Sequence, residues 1–331
     1  MTALTNPECV AGVHIEWTVT ENEEGVDMTS QNVSRRGFVA AGAGTLAMIA
    51  SAATAVAQDK KPAAEKKAKQ AAAAAAVKKP RQLQFGLQLY SVREDCGKDL
   101  PGTLAKVAKM GYVAVEFAGY YDRTAKDMRK LLDDNGLTCC GTHTGMDTLL
   151  GDNLAATIEY NRTIGNKFLI VPGLAEQYRN SHQAWLETAK LFNELAAKVQ
   201  PQDMLVGYHN HSVEFQPMDG EMPWDTFYGN TNADVVMQLD TGNACGGGVD
   251  PLPYLYKYEG RARSVHVKAF SKKDDKALIG EDEINWKAFF ALCKATGGTE
   301  VYIVEHESYA YPPLECVERC LNNLRKMKLT V

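Results

Sequence analysis

Several features that would point directly to a function are missing from this sequence. There is no surplus of positive charge: 36 Lys and Arg against 41 Asp and Glu leave a formal net charge of -5. No broad basic surface is therefore on offer to nucleic acid. There is no CxxC pair either. The eight cysteines are spread without regular spacing, which argues against a disulfide framework and against a zinc knuckle. Cys139 and Cys140 are adjacent, and Cys316 and Cys320 lie one helical turn apart; most of the eight read as packed free thiols. A glycine-rich phosphate turn is absent after the first apolar run, which continues Gln88-Leu89-Tyr90-Ser91-Val92-Arg93. An open, doubly wound nucleotide-binding sheet usually has such a turn there. Gly246-Gly247-Gly248 lies too late in the chain to serve, and reads as loop. No phosphate-binding turn is obvious after the last two apolar runs.

What remains is ordinary globular composition: 331 residues, 45% hydrophobic and 23% charged. That is enough for one large domain or two small ones. The N-terminal part reads as an address. Ser34-Arg35-Arg36-Gly37-Phe38-Val39 resembles a twin-arginine export motif. A small-residue apolar run, 40–57, follows and ends Ala55-Val56-Ala57, which suits signal-peptidase cleavage. The run is rich in Ala and Gly and marginal in length for a membrane anchor. Residues before Met28 are acidic and include Trp17, which is odd for a signal, so translation is expected to start at Met28. Residues 1–57 are thus expected to be a signal region and 58–81 a Lys/Ala/Pro-rich linker. The folded domain is expected over 82–331, and the protein is expected to be exported to the periplasm by the twin-arginine machinery.

From Gln84 onward a short apolar run, a polar turn and a longer amphipathic segment repeat. The runs are Phe85–Tyr90, Tyr112–Phe117, Leu137–Cys140, Phe168–Val171, Met204–Gly207, Val235–Leu239, Ser264-Val265 leading into His266, and Val301–Val304. Each is long enough for a buried strand and too short for a helix. Between them lie helical patterns. Leu104, Val107, Ala108 and Met110 share one face before Gly111; Met128, Leu131 and Leu132 share another before Asn135-Gly136. Further segments run over Ala184–Val199, around Trp286–Leu292, and over Leu314–Met327. Alternating strands and helices imply a parallel sheet. Eight units over roughly 250 residues fit an α/β fold of the (β/α)8 TIM-barrel type, in which the C-terminal strand ends line the site.

That rule turns strand ends into candidates. Tyr208-His209-Asn210-His211, with Glu214 after it, ends the fifth strand. Asp240 ends the sixth, His266 and Lys268 the seventh, and Glu305-His306-Glu307 the eighth. Two imidazoles, an amide and carboxylates are costly to bury without partners. Four successive strand ends bearing His, Asp, His and Glu are expected to converge on one divalent metal, with Mn, Zn, Co and Mg all compatible. Alternation puts His209 and His211 on one side and Asn210 on the other. Among the earlier strands, Gln88 and Tyr90 suit either substrate hydroxyls or rim packing. Glu116 suits either a structural partner or substrate, and His143 sits among small residues that leave room for ligand.

These residues resemble a known family. Tyr208-His209-Asn210-His211 with Glu214-Phe215, Leu239-Asp240-Thr241-Gly242-Asn243, Val265-His266-Val267-Lys268 and Val304-Glu305 are similar to the signatures of xylose-isomerase-like TIM barrels, the sugar phosphate isomerase/epimerase superfamily. The resemblance is strong in the second half. In the first half it rests on strand pattern plus Gln88, Glu116 and His143. It implies a divalent metal held by Glu, Asp, His and a second Glu on late strands. Asp240, His266 and Glu305 match the last three; at the first position this chain has His209, so either His209 replaces the carboxylate or Glu214 reaches in.

The resemblance also implies chemistry beside a carbonyl, through an enediolate. Glu305 is then ligand with base character, and His209 or Glu214 the second acid/base. Lys268 either faces the developing oxyanion or pairs with Glu307 or Asp240. His306 and Glu307 support the ligands. Trp224 and Tyr309 either stack on a sugar ring or pack. An exported enzyme meets few phosphorylated sugars, so the expected substrate is an unphosphorylated sugar, keto-sugar or glycoside. The expected function is a metal-dependent sugar isomerase or epimerase. The alternatives are a lyase or hydrolase of 3-keto-glycosides or a keto-inositol dehydratase, a non-catalytic periplasmic sugar-binding protein, and an abasic-site endonuclease, which the charge opposes. Homo-oligomerisation is compatible with the sequence.

Overall fold

The computed structural model describes residues 83–329 and, ahead of them, the backbone of four short strands. The chain divides into two compact units, Met1–Ala76 and Val77–Val331. In the first, Glu8–Val10 pairs antiparallel with Val13–Ile15, and Trp17–Asn22 with Gly25–Ser30, Val19 standing opposite Met28. The twin-arginine motif, the apolar run and the linker lie outside the described residues.

The second unit is a closed barrel of eight parallel strands. They are β1 Gly86–Gln88, β2 Ala114–Phe117, β3 Thr138–His143, β4 Phe168–Val171, β5 Leu205–His209, β6 Val236–Asp240, β7 Ser264–Lys268 and β8 Val301–Glu305. Closure comes from β8 pairing with β1, Ile303 opposite Gly86 and Val304 opposite Leu87. Nine helices connect them among the described residues: α1 Arg93–Met110, α2 Ala125–Asn135, α3 Asn153–Ile164, α4 His182–Val199, α5 Pro223–Gly229, α6 Thr241–Gly246, α7 Leu252–Lys257, α8 Trp286–Leu292 and α9 Pro313–Lys326. The expected barrel is therefore the observed one. The seven described cysteines are free, and six of them are buried.

Strand alternation sorts the side chains. Outward positions such as Val115, Leu169, Val206, Tyr208, Leu239, Val265 and Val304 join one large core with the helices. Tyr208 shows the packing: its ring lies 5.9 Å from that of Trp185, 6.1 Å from Phe192 and 5.4 Å from Phe227. Each such fully buried side chain contributes about 1.5–3 kcal/mol. Inward positions begin as hydrocarbon, with Phe168, Ile170 and Val236 in one cluster and Ala114, Cys140 and Ile303 in another. Further along the strands the inward residues turn polar. The helices stop where the sequence predicts. Gly111 closes α1 at φ 99°, a left-handed conformation that a side chain disfavours.

Candidate active site

The same alternation that fills the barrel floor with hydrocarbon brings charge to its C-terminal rim. Inward positions on β5, β6, β7 and β8 end in His209, Asp240, His266 and Glu305, all buried. Each offers one nitrogen or oxygen, and these four atoms lie within 4.8 Å of one another. His266 Nδ1 is 2.7 Å from Glu305 Oε2 and 3.7 Å from Asp240 Oδ2. Two atoms of the cluster, His209 Nδ1 and Asp240 Oδ2, are buried without a hydrogen-bond partner. A buried polar atom left unpaired costs about 1–3 kcal/mol, so two in one cluster require an explanation.

Local sequence explains why these side chains cannot turn away. Asp240 spends its other oxygen on the helix that follows, where the Asn243 amide donates to Oδ1 at 2.6 Å and caps α6. Asn210 staples β5 to β6: its Nδ2 donates to the Asp240 carbonyl at 3.1 Å, and the Asp240 N–H donates to its Oδ1 at 2.8 Å. Thr241 staples β6 to β7, donating to the Lys268 carbonyl at 2.8 Å and accepting from the Lys268 N–H at 3.0 Å. Thr241 and Asn243 stand in the Leu239–Asn243 signature, but sequence reasoning assigned them no role. Their short polar side chains directly after a strand-ending Asp were the available signal.

Beneath the rim lies a second polar layer. Glu116 is fully buried. It accepts from Gln88 Nε2 at 2.7 Å, from Gln238 Nε2 at 2.8 Å and from His266 Nε2 at 2.6 Å. His143 Nε2 stands 3.0 Å from Gln238 Oε1 and 3.3 Å from Glu116 Oε2. A register shift between Val115 and Glu116 puts Gly141 opposite Glu116. A Cβ at Gly141 would sit 2.2 Å from Glu116 Oε1, so only glycine leaves the carboxylate its place. Gln238 was missed from sequence, although it is two residues before Asp240 and therefore on the same inward face.

Electrostatics differ within the cluster. Burial pushes His209 well below the usual imidazole range, and His266 and His143 add to this, so its ring is neutral and keeps a lone pair. Burial opposes protonation of His266 too, but Glu116 and Glu305 carry it well above that range. Burial likewise opposes ionisation of Glu305, yet Lys268 and His266 hold it well below the ordinary carboxylate value. For Asp240 burial prevails and its carboxyl is raised.

Other expected site residues lie elsewhere. Glu214 does not reach the cluster. It is buried behind β5, accepting from the Tyr208 hydroxyl at 2.5 Å and from the His211 N–H at 2.7 Å. Tyr208 points outward from the barrel, so its partner does too. Trp224 is fully buried against Tyr228, Phe215 and Tyr208, with ring centroids 4.4, 5.4 and 6.3 Å away, and is not at a sugar-binding rim. His211 is exposed beyond the strand end, its ring 5.2 Å from that of His209. Lys268 donates to Glu307 and lies 4.0 Å from Glu305 Oε2; it is an ion-paired neighbour of the cluster rather than a free cation. Tyr309 donates to the Ser91 carbonyl at 2.9 Å and accepts from Arg93 at 3.0 Å. The Gln88 side chain is committed to Glu116 below the rim.

Comparison with known proteins agrees with this architecture. The inosose dehydratase of Geobacillus kaustophilus (strain HTA426) is 24% identical over 222 residues, covering 57% of this chain and 70% of that protein. A solved sugar phosphate isomerase/epimerase from Parabacteroides distasonis ATCC 8503 superposes with a TM-score of 0.64 at 25% identity, over 73% of this chain and 98% of its own. A D-psicose 3-epimerase solved in the presence of D-fructose aligns with a TM-score of 0.54 over 74% of this chain and 99% of its own; at 12% identity that likeness is one of fold. The profile of the family described as Xylose isomerase-like TIM barrel matches residues 104–327, and the chain belongs to that family.

Proposed function

We propose that this chain is a divalent-metal-dependent isomerase or epimerase acting on an unphosphorylated sugar or keto-sugar. The observation that carries the reading is the pair of unpartnered buried atoms, His209 Nδ1 and Asp240 Oδ2, inside a cluster of four ligand-type side chains. A cation satisfies both. The donor set fits one: two imidazoles and two carboxylates at the mouth of a closed barrel. Its nitrogen content favours Mn, Co or Zn over Mg. His209, Asp240, His266 and Glu305 would hold the ion. When bound, it supplies Lewis acidity at a substrate carbonyl.

The chain's own groups supply the rest. Neutral His209 brings a lone pair without first losing a proton. Asp240 is aimed by the α6 cap, which leaves one oxygen free. Glu305 stays ionised beside Lys268 and His266. With Glu214 turned away, proton removal from the carbon beside the carbonyl falls to Glu305, whose carboxylate can ligate through one oxygen and accept through the other; His209, its one lone pair given to the ion, serves as ligand. Lys268, tied to Glu307, contributes a fixed positive field to that step.

A second reading is elimination, as in a keto-inositol dehydratase or a lyase or hydrolase of 3-keto-glycosides. Epimerisation needs acid/base groups on both faces of the substrate, whereas elimination needs one base and help for the leaving oxygen. Glu214 facing away from the rim favours the second demand, and the inosose dehydratase relative agrees. Incubating the native-metal protein in D2O with free sugars, keto-sugars, inosose and 3-keto-glycosides separates them. Epimerisation gives a deuterated diastereomer, and elimination gives loss of water or of the aglycone. An ion-loaded protein that exchanges no carbon-bound proton on any of these is not an enzyme of this class.

Export through the twin-arginine pathway is part of the same proposal, supported by Ser34-Arg35-Arg36-Gly37-Phe38 and the apolar run after it. Replacing Arg35 and Arg36 by Lys should leave the protein in the cytoplasmic fraction. Unchanged export of that variant contradicts the assignment.

A further inference from the structure

We infer that Glu116 is a positioning residue that fixes the tautomers of two histidines at once. It presents His266 Nδ1 to the cation, and it holds the proton of His143 on Nε2. This rests on the reading that His209, Asp240, His266 and Glu305 hold a metal ion.

The assignment follows from a chain of donors and acceptors. The Tyr90 N–H donates to Gln88 Oε1 at 3.0 Å, which fixes the orientation of that amide. Gln88 Nε2 therefore faces Glu116 Oε2, at 2.7 Å. Gln238 Nε2 lies 2.8 Å from Glu116 Oε1 and 2.9 Å from Ser264 Oγ. Turning that amide over would set two acceptors against each other, so Gln238 Oε1 must be the atom facing His143 Nε2 at 3.0 Å. His143 Nε2 then meets only acceptors, Gln238 Oε1 and the Glu116 carboxylate at 3.3 Å. A ring nitrogen in that position carries a proton.

His266 obeys the same carboxylate. Its Nε2 donates to Glu116 Oε2 at 2.6 Å, so the nitrogen left for a metal is Nδ1, which is hydrogen-bonded to Glu305 Oε2 at 2.7 Å and would give up its proton to ligate. The two rings lie 9° from parallel with centroids 5.3 Å apart, as expected of two imidazoles gripped through the same edge by one carboxylate. A carboxylate behind a ligating histidine fixes both ring orientation and tautomer. Here one carboxylate does so for a ligand and for the free imidazole beside it.

Glu116→Gln is the informative variant. Each neighbour of the carboxylate, Gln88, Gln238, His266 and His143, donates to it, so the new NH2 group faces a donor whichever way the amide lies. Either His266 moves its proton to Nδ1 and can no longer ligate, or Gln238 turns over and His143 inverts. The test is long-range 1H–15N correlation of the imidazoles in the Zn2+-loaded protein, together with Zn2+ affinity by competition with a chelator. The wild-type spectrum should show both rings protonated at Nε2, with Nδ1 of His266 shifted by the metal. Glu116→Gln should change the tautomer of at least one ring and, where that ring is His266, bind Zn2+ about 10–100-fold more weakly. In a His266→Ala background the same change should cost little further affinity.

A wild-type His143 without a proton on Nε2, or a His266 ligating through Nε2, overturns the inference, and that spectrum decides even if Glu116→Gln does not fold. Undiminished Zn2+ affinity in Glu116→Gln with both tautomers unchanged overturns it as well. If Asp240→Asn loses Zn2+ while Glu116→Gln keeps both the ion and the two tautomers, only this inference fails. If Asp240→Asn also keeps the ion, the metal reading fails with it.

Discussion

The two ends of this barrel treat charge in opposite ways. At the N-terminal end, Lys167 and Arg263 converge on Glu300, with each of the three side chains about a third or more exposed. Both cations also lie over the Phe168 ring, at 4.8 and 5.9 Å. Buried Arg261 donates to the carbonyls of Tyr228, Thr231 and Val235. At the C-terminal end, His209, Asp240, His266 and Glu305 are taken out of water, and two of their atoms find no partner. Backbone and strand count are the same at both ends. Where only stability is at stake, these charges are partnered, near water for Lys167, Arg263 and Glu300 and on backbone carbonyls for Arg261, and the barrel floor is hydrocarbon. Single unpaired atoms occur elsewhere, as at Trp185 and Trp224, but two within one cluster of four ligand types mark the rim as a place for something else to bind.

That contrast can be broken at either end. The largest effect belongs to the rim: Asp240→Asn or His266→Ala should weaken divalent metal binding by more than about 100-fold while circular dichroism stays native, as metal analysis of the purified variants will check. Phe168→Ala acts at the floor. Losing that ring should cost about 3–5 kcal/mol in urea unfolding, with the metal affinity of the folded protein unchanged. If the affinity falls in step with stability, the two ends are not separate.

Glu214→Gln sharpens the boundary behind β5. It should lower stability by about 1–3 kcal/mol through the Tyr208 and His211 hydrogen bonds and leave metal stoichiometry alone. A lost ion would return Glu214 to the site. The smallest effect is expected at Glu300. Burial disfavours its charge, but Lys167 and Arg263 hold its carboxyl below the ordinary value. A carboxyl lowered in the folded state stabilises above its unfolded value, and that contribution fades as pH falls through the folded one. Because the group is exposed, Glu300→Gln should cost at most about 1 kcal/mol near neutrality. The difference from wild type should vanish in acid and shrink in salt; a difference that grows in acid would contradict the sign.

Much of this was legible in the residues. Phe168–Val171 is the fourth strand as expected, and the other runs needed shifts of a few residues at their ends. At the C-terminal ends of β5 to β8 the shifts share a cause. Polar residues such as His209, Asp240, Lys268 and Glu305 continue the ladder because hydrogen bonding to neighbouring strands, not hydrophobicity, decides where a strand stops. The rim cluster could be read because four strands end in ligand types. Glu214 could not be placed, since nothing local says that a residue past the strand end turns back to an outward tyrosine. Trp224 was beyond reach for a similar reason: α5 packs it inward, and an isolated Trp does not reveal its face. The Glu116 layer needed the register shift at Gly141, which no periodicity announces.

The most direct test is crystallographic. Crystals soaked in Mn2+ should give one anomalous peak at the rim, about 2.0–2.3 Å from one atom each of His209, Asp240, His266 and Glu305. No peak there, or a peak elsewhere with these four side chains turned apart, would contradict the account.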